Sequence, residues 1–184
     1  MIIGITGTLG AGKGTVVEYL KTKGFIHYSA RDFFVEEVKR RNLTVNRDTI
    51  TETANDLRTK NGPDYVLKTL FSRATETGGD SVIESIRALA EGEFVKAHGQ
   101  LWAVDADRKA RYERIIRRAS ETDVISFDKF VEDEEREMNS TDPAKQNIAG
   151  VMKTADVVLT NNGTPEELFA QVEVALNAVN TKNA

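Results

Sequence analysis

Residues 7–15 read Gly-Thr-Leu-Gly-Ala-Gly-Lys-Gly-Thr, directly after the isoleucine-rich run Ile2–Thr6 and directly before an amphipathic stretch. Strand, glycine-rich turn, lysine, hydroxyl and helix in that order leave few folds open. Such a turn brings several backbone N–H groups to one concave surface, because glycine alone reaches the required dihedrals and lets an anion approach closely. The helix that follows aims the positive end of its dipole at the same point. Lys13 is expected to lie along the β- and γ-phosphates of a bound nucleotide, and the hydroxyl of Thr15 to ligate Mg²⁺. Gly7, Gly10, Ala11, Gly12, Lys13, Gly14 and Thr15 are therefore the expected ATP-binding residues. The usual pattern puts Ser or Thr immediately after the lysine; here Gly14 stands between. A dinucleotide-binding turn is the competing reading. It fails, because G-x-G-x-x-G would need a glycine where Thr15 stands.

Beyond this turn the chain alternates short apolar runs with long amphipathic ones, the pattern of βα units around a parallel sheet. Strands are expected at Ile2–Thr6, Phe25–Tyr28, Ser81–Glu84, Leu101–Val104 and Asp156–Thr160. Helical spacing is plain in three sets: Tyr112, Ile115, Ile116 and Ala119; Leu67, Leu70, Phe71 and Ala74; and Leu168, Val172, Ala175, Leu176 and Val179. The last helix announces its start with Thr164 as N-cap, Pro165 in the first turn and Glu167 completing a capping box. Ser29 with Asp32, and Asp142 before Pro143, are weaker starts of the same kind. Five strands and about eight helices predict a three-layer α/β domain with a five-stranded parallel sheet covered on both faces. Its core is expected over 1–32, 78–121 and 154–184. Too many consecutive helices for one crossover fall in 33–77, which is expected to stand out as a lobe, with a second helical excursion over 122–153.

Composition narrows the function. The 184 residues carry 29 acidic and 25 basic side chains, no cysteine and two histidines, His27 and His98. Disulfides and thiolate metal sites are thereby excluded, and a histidine-built metal site is disfavoured. The net charge of −4 argues against broad nucleic-acid binding, which wants a basic surplus. No apolar run approaches the ~18 residues of a membrane span. The first residues, MIIGITG, lack the basic region of a signal peptide, so a cytoplasmic chain, monomeric or homodimeric, is expected.

The string GAGKGT, with glycine between lysine and threonine, resembles the loop of adenylate kinases and other nucleoside monophosphate kinases. Tyr28-Ser29-Ala30-Arg31-Asp32 is similar to the segment that opens their acceptor lobe. Val82-Ile83-Glu84-Ser85-Ile86-Arg87 is similar to their apolar strand followed by Asp-Gly-x-x-Arg. Residues 155–164 resemble the late strand and Asn-Gly turn of dephospho-CoA kinases and of a related archaeal-type group of nucleotide kinases. This last, adenylate-kinase-related group is the best match overall. The resemblance implies ATP as phosphoryl donor, and contacts from the turn at Asn162 and Gly163 to its base. There are departures: Val35 stands where adenylate kinases have an arginine, and Glu84-Ser85 replaces Asp-Gly.

Phosphoryl transfer needs charge neutralisation more than covalent chemistry, so the cations matter most. Arg108, Arg111, Arg114, Arg117 and Arg118 crowd into one amphipathic stretch. Four of them, from Arg111 onward, fall within about a third of a helix circumference, apart from the apolar stripe. The expectation is an outward row in which Arg114 and Arg118 close over the transferring group; a solvated face balanced by Glu132–Glu135 is the alternative. Arg87 is expected to grip the acceptor phosphate, with Arg31 and Arg58 in support. Asp32 and Glu84 are the carboxylates placed to hold Mg²⁺ through water or, for a hydroxyl acceptor, to take a proton, Asp32 being favoured for the latter. The expected activity is transfer of the γ-phosphoryl of Mg·ATP to a nucleoside monophosphate. Transfer to a ribose hydroxyl, as in dephospho-CoA kinases, and a nucleotide-binding regulator without a small acceptor stay open.

Overall fold

A computed structural model describes residues 1–118, 126–142 and 145–182. Five strands, β1 (Ile2–Gly7), β2 (Ile26–Ser29), β3 (Ser81–Glu84), β4 (Gln100–Asp105) and β5 (Val157–Thr160), form one sheet in the spatial order β2-β3-β1-β4-β5. Every pairing is parallel. The expected strands agree with these to within one or two residues. The sheet is parallel because each connection carries at least one helix across a face.

Among the described residues there are nine helices: α1 (Lys13–Thr22), α2 (Ala30–Arg40), α3 (Arg47–Asn61), α4 (Tyr65–Thr77), α5 (Leu89–His98), α6 (Arg108–Arg118), α7 (Phe127–Met138), α8 (Ile148–Lys153) and α9 (Pro165–Lys182). Two of the three expected starts are realised. Thr164 and Glu167 exchange the two bonds of a capping box, and the Ser29 hydroxyl accepts from the Asp32 amide. The third differs: Pro143 lies outside the described residues, and the helix that follows is capped by Asn147, whose side chain accepts from the Gly150 amide.

Alternation along each strand divides the core. Ile3, Ile5, Val82, Trp102 and Val104 pack with Val16, Val17 and Leu20 of α1 and Leu168, Val172 and Leu176 of α9. On the opposite face, Ile83 and Leu101 pack with Phe34 of α2, Leu57 of α3, Val66, Leu67 and Leu70 of α4, Val95 of α5 and Val151 of α8. The second layer therefore takes in α2, α3 and α4, with α4 lying directly against β2 and β3. Burying a Leu or Ile side chain contributes about 1.5–3 kcal/mol, so each layer holds its helices independently of the turns.

The helix α6 departs from expectation. Ile115 is buried, but Ile116 is 42% exposed, and Ala119 lies outside the described residues. Arg111, assigned to an outward row, is only 5% exposed and points inward. An arginine can take a core-facing position when its donors find acceptors, and here they do, as described below.

The order of strands reverses about β1, with β2 and β3 to one side and β4 and β5 to the other. In open parallel sheets such a reversal leaves a crevice at the carboxyl ends of the strands. The glycine-rich turn, Ser85–Arg87, Ala106–Asp107 and Asn161–Gly163 all follow strands at that end.

Candidate phosphate-binding site

The turn from Thr8 to Gly12 wraps the space above β1. The Ala11 amide donates back to the Thr8 carbonyl at 3.3 Å, which closes the loop on itself. Among the described residues, the amides of Gly10, Gly12, Lys13, Gly14 and Thr15 have no acceptor. Some belong to the first turn of α1, where amides are always left over. Here they continue directly from those of the loop.

Gly12 takes φ +102°, and a Cβ built on it would stand 2.2 Å from the Asn161 side-chain nitrogen. No other residue fits there. Gly14 has no atom within 4 Å of a built Cβ. Nothing in the protein itself demands a glycine at that position, so its open side is left for whatever approaches the loop.

Lys13 folds back across the turn, its Nζ donating to the carbonyls of Gly7 and Thr8, each at 2.8 Å. Loss of hydration pulls the ammonium from its ordinary value near 10.5 down to about 7, and the nearby Arg87 guanidinium pulls in the same direction. Glu84 and Glu137 oppose them. An amine held on two carbonyls, depressed by lost hydration and by a neighbouring guanidinium, regains its full charge when an anion lies beside it.

Glu84 ends β3, and the imidazole of His27 from β2 lies beside it, Nε2 3.5 Å from Oε1. That neighbour, helped by Ser29 and Lys13, holds the Glu84 carboxyl below the usual carboxylate range. Asp32 does not join this group. It is exposed in the first turn of α2 with Arg31 beside it, and the carboxylates that act on Lys13 are Glu84 and Glu137. His27 is thereby the partner of Glu84, one of the carboxylates beside the loop.

The Arg87 guanidinium reaches Gln146 (Nη1 to Oε1, 3.1 Å) and Glu137 (3.5 Å), both from the helical excursion after α6. Its backbone amide, with that of Ala88, is capped by Glu91. Arg58 enters the same region from α3. It is 9% exposed, lies 3.9 Å from Glu91 and 5.5 Å over the Phe34 ring, and its Nε has no partner. Burial pushes this guanidinium down, Glu91 pushes it up, and Arg87 pushes it down again. Arg87 thus has Glu137 and Arg58 has Glu91, each at a distance too long for a tight hydrogen-bonded pair.

The arginines of α6 divide. Arg108 and Arg111 are ion-paired to Glu134 of α7 at 2.7 and 2.5 Å, which is the balancing alternative weighed from the sequence. Arg111 also donates to the carbonyls of Ala106 and Leu9. Arg114 donates to the Asn161 carbonyl at 2.7 Å while its Nη1 is buried without a partner. Arg118 is exposed at the last described residue of α6. The Asn162 side chain accepts from the Asp107 amide, and Gly163 follows in the same turn.

Asp105, Glu137 and Gln146 are not among the residues expected at the site, Glu134 is expected only among the acids that balance the arginines, and Asn161 only as a member of its turn. The first accepts from the Thr8 hydroxyl and from the Ala106 amide. An acidic residue closing a strand was the one available signal for it; the others act through contacts far apart in sequence.

The donor set bears on magnesium. Among the described residues, no cluster of three or more Asp, Glu or His side chains is arranged to hold a metal. The loop offers the Glu84 carboxylate and the Thr15 hydroxyl. This fits Mg²⁺, which keeps several waters and is usually held by one or two carboxylates together with substrate phosphates.

An all-parallel sheet of this order, with a lysine-bearing glycine turn after its central strand, defines a P-loop α/β protein of the kind found among small-molecule kinases. The AAA domain family AAA_18 matches residues 3–142, and the chain belongs to that family. A UPF0200 protein of Methanococcus vannielii is 30% identical over 184 residues, covering 97% of this chain and 96% of the relative. Among solved structures, TT1252 from Thermus thermophilus superposes with a TM-score of 0.62 at 25% identity, over 100% of this chain and 98% of that one. Dephospho-CoA kinase from Campylobacter jejuni shares the fold, with a TM-score of 0.60 at 12% identity over 100% and 98% of the two chains. No described helix is long and apolar enough to cross a membrane.

Proposed function

We propose that the chain is an ATP-dependent phosphotransferase that moves the γ-phosphoryl group of Mg·ATP to a nucleoside monophosphate. The observation that carries this reading is the set of amides without acceptors at Gly10 and from Gly12 to Thr15, with the Lys13 amine folded back over the same turn and the Arg87 guanidinium close enough to depress it. Amides and lysine suit the β- and γ-phosphates of a donor. The paired guanidiniums of Arg87 and Arg58 suit the phosphate of an acceptor, which a fork of donors can grip bidentately.

In this reading 33–77 is the acceptor lobe and 122–153 the lid. An acceptor phosphate oxygen attacks the γ-phosphorus, the bond to the bridging oxygen breaks, and ADP departs. The acceptor oxygen is already ionised, so no general base is needed and Asp32 serves at the rim of the acceptor lobe with Arg31. Thr15 and a water-bridged Glu84 would hold Mg²⁺, which when bound neutralises charge across the β- and γ-oxygens. Arg114 and Arg118 would close over the developing charge, and the turn at Asn162 and Gly163 would meet the base. Protein positioning and electrostatics supply nearly all of the catalysis such a transfer requires.

Coupled ADP-release measurements against a panel of nucleoside monophosphates, with dephospho-CoA and shikimate included, test the proposal. Acceptor-dependent release with a monophosphate, lost in Lys13→Met, is the expected result. Release stimulated by dephospho-CoA or shikimate alone refutes the assigned acceptor class, and hydrolysis indifferent to every acceptor refutes the transferase reading.

A further inference from the structure

We infer that Asn161 and Arg111 are positioning residues that turn the amides of the phosphate loop toward its concave side; the inference rests on the nucleotide reading above and concerns how that loop is prepared. A trans peptide unit carries the C=O of one residue and the N–H of the next on opposite sides of a rigid plane. Whatever holds the carbonyl outward therefore aims the following amide inward.

Two side chains do this, at alternate peptide units. The Asn161 Nδ2 donates to the Ala11 carbonyl at 2.8 Å, which fixes the plane bearing the Gly12 amide. The Arg111 Nη1 donates to the Leu9 carbonyl at 3.2 Å, which fixes the plane bearing the Gly10 amide. Gly10 and Gly12 both have positive φ, at +78° and +102°. Glycines tolerate many backbone conformations, so without outside support these planes would be free to rotate.

The two side chains are themselves held. Asn161 is 8% exposed, its amide donates to the Asp105 carbonyl and its own carbonyl accepts from Arg114. Arg111 is pinned by the Ala106 carbonyl and by Glu134 from α7. The close fit explains the glycines: a Cβ on Gly12 would stand 2.2 Å from the Asn161 nitrogen, and one on Gly10 2.6 Å from the Arg111 carbonyl oxygen. Donors arranged in advance avoid an ordering cost when the anion binds.

The experiment uses the full ¹⁵N-labelled chain, without ligand and titrated with Mg·ADP, in Asn161→Ala and Arg111→Lys. As a comparison, Gln171→Ala removes side-chain bonds to the Thr160 amide and carbonyl without touching the loop. In Asn161→Ala the order parameter of the Gly12 amide falls from the rigid range near 0.85 toward the ~0.6 of flexible backbone, while Gly10 keeps its value. Arg111→Lys reverses the pattern, and stands alone as the test if Asn161→Ala does not fold. Each variant weakens ADP about tenfold, the scale of one charge-assisted hydrogen bond, and loses the ADP-induced shift of its own glycine amide only. Gln171→Ala lowers the melting temperature and leaves ADP affinity alone. Unchanged order parameters at Gly12 and Gly10 in the variants overturn the inference, whether or not ADP binds. A wild-type chain whose loop amides ignore ADP overturns the nucleotide reading instead.

Discussion

The guanidinium of Arg111 and the carboxylate of Glu134 meet at 2.5 Å, with side chains only 6% and 4% exposed. The pair ties α7 to α6 and, through Leu9, to the phosphate loop. Desolvating two charges consumes most of what their attraction yields, so the pair adds little net stability while intact. Breaking it is another matter, because one buried charge is left alone. Glu134→Ala is expected to lower unfolding free energy by about 3 kcal/mol, read by urea denaturation at constant m-value. A loss under about 1 kcal/mol is the size of a surface pair and sinks the argument.

The depressed Lys13 predicts a proton uptake on binding. Near pH 7 the amine is about half charged in the ligand-free chain. A polyphosphate alongside it favours the charged form and raises its affinity for a proton. Binding should then take up protons between pH 7.5 and about 9, where phosphate groups are already ionised. ADP affinity should fall with rising pH across that interval, a trend lost in Lys13→Met. Stability of the ligand-free chain runs the other way. The unfolded lysine holds its proton up to about 10.4 and the folded one releases it near 7, so this group makes stability rise with pH between those values. Calorimetry in two buffers of different ionisation heat measures the uptake directly, and equal apparent heats contradict it.

Much of this molecule can be read from its sequence, for reasons that differ by element. β3 is legible residue for residue at Ser81–Glu84, because the run is too short for a helix, is β-branched at Val82 and Ile83, and follows Gly78-Gly79. The loop is legible because its glycines and lysine are contiguous. The α6 arginines are not. Periodicity places Arg111 with Arg114, Arg117 and Arg118, yet a helix cannot reveal that an acidic residue on α7 and a carbonyl at Leu9 will satisfy one of them inside. The turn that holds Asn161 is legible, but its side-chain bond is not, since its partner Ala11 lies at the other end of the chain. Side chains that act on distant backbone have no local pattern to betray them.

Ser85 illustrates a departure that carries energy. It takes φ +71°, one of two non-glycine residues in that region among the described residues, immediately after Glu84. The turn is dictated by its neighbours: the Ile86 amide donates to the Ile5 carbonyl, and the Ile86 carbonyl accepts from the buried Thr6 hydroxyl. A side chain in left-handed backbone costs about 1–2 kcal/mol, part of which a glycine gives back in the freedom of its unfolded chain. Ser85→Gly should therefore stabilise the protein by about 0.5–1 kcal/mol, seen as a higher melting temperature. Lower stability in that variant means the serine hydroxyl holds the turn in a way the backbone does not reveal.

Arg58 separates stability from function most cleanly. Its side chain is buried against Phe34, its nearest carboxylate is 3.9 Å away, and its Nε has no partner. Glu91, for its part, is already satisfied by the amides of Arg87 and Ala88. Such a guanidinium loses more hydration than it regains, so an apolar chain of similar length is neutral or better for folding. Arg58→Met is expected to hold or raise the melting temperature while raising the KM for the acceptor phosphate at least tenfold, the effect of one lost charge-assisted bond. The KM for ATP should stay within about twofold, since Lys13 and the loop amides are untouched. A protein strained at rest for the sake of its ligand shows this combination, gaining stability where it loses activity. If Arg58→Met unfolds more easily and binds its acceptor normally, the arginine belongs to the core and the acceptor phosphate rests on Arg87 without it.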